Sequence, residues 1–163
     1  KVIDAGVLQP GSLRVCFRAS GFDETFRPTI QALGLADVVR LEPALPYRDA
    51  LREMLESGAL LLFQAKVCNE QIPAKAYEYL AAGRPILGLA DPEGDTGRLL
   101  ARFGVPGIAS LEDEEAIFRM LAASLPSIQA GTYPVADPAS VLSVSRRAGT
   151  QELVRQLNRI AQV

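Results

Sequence analysis

Leu60-Leu61-Leu62-Phe63 is apolar at every position, a pattern that a strand with one wet face does not show. Following Ser57-Gly58, it predicts a central strand buried on both faces, as in a parallel sheet. Parallel neighbours need long crossover connections, and the rest of the chain supplies them. Leu13 to Phe17 alternates apolar and polar residues after the turn Pro10-Gly11-Ser12, and Val38 to Leu41 is a second short strand. Pro85 to Leu89 is a third flanking strand, and Val105 to Ala109 an edge strand.

Helical spacing falls between these strands. The first helix is expected from Arg27 to Leu33, which keeps Pro28 in its first turn, and Gly34 stops it. Tyr47 to Glu56 carries Ala50, Leu51, Met54 and Leu55 on one face, and Ala74 to Ala82 is closed by Gly83. Asp95 or Thr96 can cap a helix carrying Leu99, Leu100 and Phe103, and Glu112 to Leu125 is another. The Pro-, Gly- and Ser-rich stretch Pro126 to Ser140 is expected to cross the surface before an amphipathic helix over Arg146 to Ile160. The alternating order predicts an α/β fold, a Rossmann-like parallel sheet with helices on both faces. A length of 163 residues predicts a single domain over 1–163, with 141–163 as its C-terminal helix. Ligands in such sheets bind beyond the carboxyl ends of the strands. The loops Arg18 to Asp23, Pro43 to Tyr47, Gln64 to Ile72 and Ala90 to Asp95 are therefore the places for a site.

Composition removes several functions. The chain contains no histidine, which excludes Ser-His-Asp and Cys-His catalysis and histidine-bearing zinc sites within it. Lys plus Arg is 17 against 19 Asp plus Glu, so no strongly basic nucleic-acid surface is expected. Cys16 and Cys68 match no CxxC spacing and read as two small buried thiols in a reducing cytoplasm. No apolar run approaches the length of a membrane-spanning helix. The chain opens on Lys1 instead of methionine, so an upstream segment is expected, with residues 1–12 as the remnant of a truncated first unit.

The segment from Asn69 to Ala90 carries the chemistry. At 100° per residue Tyr77, Leu80 and Ala81 face the core, while Lys75, Glu78 and Ala82 fall on the other side. A helix start after Pro73 offers unpaired N–H groups and a positive dipole end, which suit a diphosphate. Lys75 adds a full positive charge there, and Glu78, one turn deeper, can accept from vicinal hydroxyls such as a ribose diol. Spacing alone favours an exposed i,i+3 ion pair worth a few tenths of a kcal/mol.

Glu70 and Glu78 form an E-x7-E pattern, and the run Ile72-Pro73-Ala74-Lys75-Ala76-Tyr77-Glu78-Tyr79-Leu80-Ala81-Ala82-Gly83-Arg84-Pro85-Ile86-Leu87 resembles the donor-binding motif of GT-B glycosyltransferases, family 4, group 1. Gly34 to Val39, Pro46-Tyr47, Ser57 to Leu62 and Gly94-Asp95-Thr96 are similar to its flanks. The resemblance covers roughly residues 13 to 125, and the 70–87 core is its specific part.

The resemblance implies the C-terminal, donor-binding half of a two-domain enzyme that transfers a hexosyl group from a nucleotide-diphosphate sugar. That sugar nucleotide is a substrate, and neither a cofactor nor a metal is called for. Glu70 matches the glutamate that approaches the transferred sugar and is the catalytic candidate; Glu78 matches the one that holds the ribose hydroxyls. Gln71, Ile72 and Ala74 occupy the turn whose amides meet the sugar and the diphosphate. Lys75 stands where proline is common and can reach phosphate, and Pro73 stands where many members have glycine. Thr96 can add a hydroxyl or act as a plain cap, and Leu45 lies where the base is lined. The first strand and helix, with their Arg and Lys for the pyrophosphate, have no counterpart here, and the acceptor-binding N-terminal domain is missing. The fragment is thus expected to be inactive alone. Cytoplasmic placement, with peripheral attachment of the intact enzyme to the inner face of the membrane, also follows from the resemblance. A nucleotide-sugar epimerase of the same fold, or a non-catalytic module binding a nucleotide sugar or a partner, is the alternative.

Overall fold

The computed structural model describes residues 1–9 and 11–161; Pro10 of the expected first turn, and Gln162 and Val163, lie outside the described residues. The chain is an α/β protein with parallel strands flanked by helices, of Rossmann-like type. It divides into two compact units, Lys1–Glu56 and Ser57–Val163.

The first unit opens with turns, closed by Ala5 N–H to Lys1 O at 2.8 Å and Val7 N–H to Val2 O at 3.0 Å. β1 (Val15–Arg18) then leads through α1 (Asp23–Ala32) to β2 (Val39–Glu42), and α2 (Tyr47–Glu56) follows. The strands pair in parallel from Val15 opposite Val39 to Arg18 opposite Glu42. α1 starts four residues before the expected Arg27, so Pro28 sits inside it. The turn ahead of the proline has other anchors. Phe22 O accepts from both Thr25 and Phe26, the Ser20 hydroxyl bonds Asp23, and Phe26 packs on Phe17 and Phe22 with centroids 6.2 and 6.3 Å apart. Those contacts offset the carbonyl bond that proline cannot make.

The second unit runs β3 (Leu60–Phe63), a single 3-10 turn (Lys66–Cys68), α3 (Ala74–Ala82), β4 (Ile86–Leu89), α4 (Asp95–Arg102), β5 (Gly107–Ala109) and α5 (Glu114–Gln129). α6 (Pro138–Leu142) and α7 (Arg146–Ala161) close it. Its parallel sheet has the order β3-β4-β5. One face carries Leu62 and Ile86 against Ala76 and Leu80 of α3, Leu99, Leu100 and Phe103 around α4, and Val141 of α6. The other carries Leu87, Leu89 and Ala109 against Met120 of α5 and Tyr133. Helices thus cover both faces.

The central strand of this sheet is β4, buried at every residue, and not the all-apolar β3, whose Phe63 is exposed. Hydrophobicity marks a strand as burial-prone, but which one lies in the middle is set by pairing order. A second difference concerns Pro126 to Ser140. α5 runs past Pro126 to Gln129, and Tyr133 and Ala136 are buried. The Tyr133 hydroxyl donates to Ile86 O at 3.1 Å, so the segment is sewn to the sheet and does not merely cross the surface.

α3 also turns differently from the expected wheel: Ala76 and Leu80 are buried, Tyr77 is half-buried and Ala81 is exposed. Both alanines are apolar, so their periodicity could not rank them. α7 matches its expected span, but none of its residues is buried.

Candidate functional site

The carboxyl edge of the β3-β4-β5 sheet is built from two loops tied to each other. The first leaves β3 at Gln64, whose backbone N–H extends the ladder by donating to Leu89 O at 2.9 Å. Its side chain is buried, and Nε2 donates to Cys68 O at 2.6 Å and Gln71 O at 3.2 Å. A buried amide left unpaired costs about 1–3 kcal/mol, so Gln64 fixes the path of the chain from 65 to 71.

The second loop leaves β4 at Ala90 and delivers α4. Asn69 Nδ2 donates to Asp91 Oδ2 at 2.7 Å, and the Glu93 N–H donates to Asp91 Oδ1 at 3.0 Å. The Glu93 amide first, then Asn69, hold the Asp91 carboxyl below the usual carboxylate range. Asn69 O accepts from the Asp95 N–H at 2.9 Å, and Thr96 Oγ1 donates to Gln71 O at 3.1 Å. Glycine is required at Gly97, where a β-carbon would overlap Asp91 O and Pro92, and a β-carbon on Gly94 would make a tight 3.0 Å contact with Asn69 Cγ.

Thr96 belongs to these ties. It is 1% exposed, so its hydroxyl is turned to Gln71 and not presented to a ligand. Nor does Thr96 or Asp95 cap α4; the cap position belongs to Gly94, which has no side chain to offer, and the Asp95 amide is met by Asn69 O.

α3 begins beside this loop. Pro73 stands at its cap position in extended conformation, and no side chain caps the helix. Glu70, Gln71, Ala74, Lys75 and Glu78 are exposed along the loop and the first turns, while Ile72 packs against the core. Lys75 Nζ lies 2.9 Å from Glu78 Oε2, with both side chains about half or more exposed. Five of the eight candidate residues, Glu70, Gln71, Ala74, Lys75 and Glu78, thus form an exposed rim along this loop and helix start, and Ile72 turns inward. Leu45 is an exposed residue of the first unit, between β2 and α2.

Arg18 at the end of β1 is engaged within its own unit. It donates from both Nε and Nη2 to Glu53 of α2, from Nη1 to Pro43 O at 2.8 Å, and so ties β1 to α2. Its hydrogen bonds hold the Glu53 carboxyl below the usual range.

An open hollow of about 460 Å³ lies elsewhere, between β5, α5 and Tyr133-Pro134, and none of its lining belongs to α3 or its preceding loop. Among the described residues no group of three or more His, Cys, Asp or Glu could hold a metal ion, and no helix is long and apolar enough to cross a membrane. Gln64, Asn69 and Asp91 were not among the residues expected at the site. Gln64 had a signal, an amide directly after an apolar strand; Asn69 and Asp91 had none, since only the fold brings them together.

Fold and rim together define an α/β protein with an uncapped, cation-bearing helix start at the carboxyl edge of a parallel sheet. No family model, curated protein or solved structure matches the chain.

Proposed function

We propose that this chain is the donor-binding part of a glycosyltransferase, and that it holds a nucleotide-diphosphate sugar along the start of α3. The observation that supports this reading is the uncapped α3 N-terminus with Lys75 and Glu78 exposed beside it. The diphosphate accepts from the first-turn amides and Lys75, where the helix dipole favours negative charge. Glu78 accepts from the ribose hydroxyls, and Glu70, on the preceding loop, approaches the transferred sugar. The Lys75–Glu78 pair opens on binding at small cost, since an exposed ion pair is worth at most about 1 kcal/mol. Catalysis in such an enzyme is positioning of the donor and stabilisation of the departing diphosphate, with the acceptor brought by a further domain.

The test is an amide-resolved NMR titration with UDP, GDP, ADP and dTDP. Shifts over Glu70 to Glu78 that disappear in Glu78→Ala support the reading and name the base. Silence with all four overturns it.

A further inference from the structure

We infer that Gln64 and Thr96 are positioning residues for this rim, acting through one shared acceptor, the Gln71 carbonyl. The inference rests on the donor-binding reading for its nucleotide arm only. Gln71 O receives Gln64 Nε2 at 3.2 Å from the end of β3 and Thr96 Oγ1 at 3.1 Å from α4. Both donors are buried, at 8% and 1% exposure, and Gln64 Nε2 also donates to Cys68 O at 2.6 Å. Both are also anchored. The Gln64 N–H is held by Leu89 O, and the α4 start that carries Thr96 is held by Asn69 O.

Gln71 lies between Glu70 and the Pro73 position that opens α3. The 71–72 peptide therefore lies on the path from Glu70 into the first turn of α3, and its orientation bears on both. Neither Gln64 nor Thr96 touches a ligand; they fix the peptide on which the ligand-facing groups ride. Two donors on one carbonyl, from two elements, define its orientation better than either alone, because a single bond leaves rotation about its own axis.

Three variants test this. Thr96→Val keeps the shape and removes the donor, Thr96→Ser restores the hydroxyl, and Gln64→Met removes the donor on the β3 side. The first readout is hydrogen exchange in the ligand-free protein at the Cys68, Asn69, Gln71 and Asp95 amides, each of which is hydrogen-bonded. Expected in Thr96→Val is exchange faster by about tenfold at these amides, unchanged exchange in β4, and recovery in Thr96→Ser. The second readout is titration with whichever of UDP, GDP, ADP and dTDP binds the unmodified protein, with affinity about tenfold weaker in Thr96→Val and restored in Thr96→Ser. Wild-type exchange at the loop amides of Thr96→Val, or wild-type nucleotide affinity in that variant, overturns the inference. If Thr96→Val does not fold, Gln64→Met decides by the same readouts. If the unmodified protein binds none of the four nucleotides, the donor-binding reading fails, and loop exchange alone decides the positioning roles.

Discussion

The hydroxyl of Tyr133 stands so close to Gly107 that a β-carbon there would clash with it, and from there it donates to Ile86 O at 3.1 Å. A glycine in edge strand β5 thus lets a residue beyond α5 reach across to the central strand. Two consequences follow. Tyr133→Phe loses the bond and lowers unfolding free energy by about 0.5–1.5 kcal/mol. Gly107→Ala displaces the whole ring and lowers it by about 1–3 kcal/mol, as overpacking does. Urea denaturation measures both, and a Gly107→Ala variant as stable as the parent contradicts this packing.

Asp91 gives the molecule an acid-side weakness. Its carboxylate is held by the Glu93 amide and by Asn69, so its pKa in the fold is lowered from an ordinary value of 3.8. A depressed carboxyl stabilises the fold above its unfolded pKa, and that contribution is lost as pH falls through the folded value. Carboxyl-carbon NMR across pH 2 to 6 is expected to show Asp91 titrating below the ordinary 3.8, and Asn69→Ala moves it back toward that value.

Leu80 and Leu100 lie among the deepest side chains of the second unit, and each is nearly or fully buried between the sheet and its helices. Leu80→Ala or Leu100→Ala costs about 2–5 kcal/mol, the range for a large buried leucine replaced by a small residue. A thermal melt reads the loss directly, and a shift of a degree or less argues against this core.

α7 predicts the opposite. Leu153, Val154, Leu157 and Ile160 are 48–72% exposed, and no residue of the helix is buried. Replacing Leu153, Leu157 and Ile160 together by serine changes the melting of this chain by no more than a surface substitution does, within about 0.5 kcal/mol per site. A large loss shows that the face is covered in solution.

The two units differ in how much core each owns. Among the described residues of Lys1–Glu56, Leu8 alone is fully buried, and neither α1 nor α2 buries a residue completely. Local opening is easiest where few apolar contacts close over the backbone. Amides of β1 and β2 are expected to exchange well ahead of those of β4; equal protection in the two sheets contradicts the assignment.

Much of this was legible in the residues. β3, α2 and α3 fall where the pattern placed them, at Leu60–Phe63, Tyr47–Glu56 and Ala74–Ala82, because each is bounded by a strong local signal such as Ser57-Gly58 or Gly83. The α/β class with parallel strands followed from the same alternation, and the rim from Glu70 to Glu78 is continuous in sequence, so its exposure could be anticipated from one helix start. The roles of Gln64, Asn69, Asp91 and Thr96 could not, nor could the Tyr133 bridge. Each depends on a partner 4 to 47 positions away that the local pattern does not name. Local periodicity fixes which backbone a segment prefers and which residues avoid water. Which strand becomes central, and which buried donor finds which carbonyl, is decided when elements pack and every buried polar group must be satisfied at once.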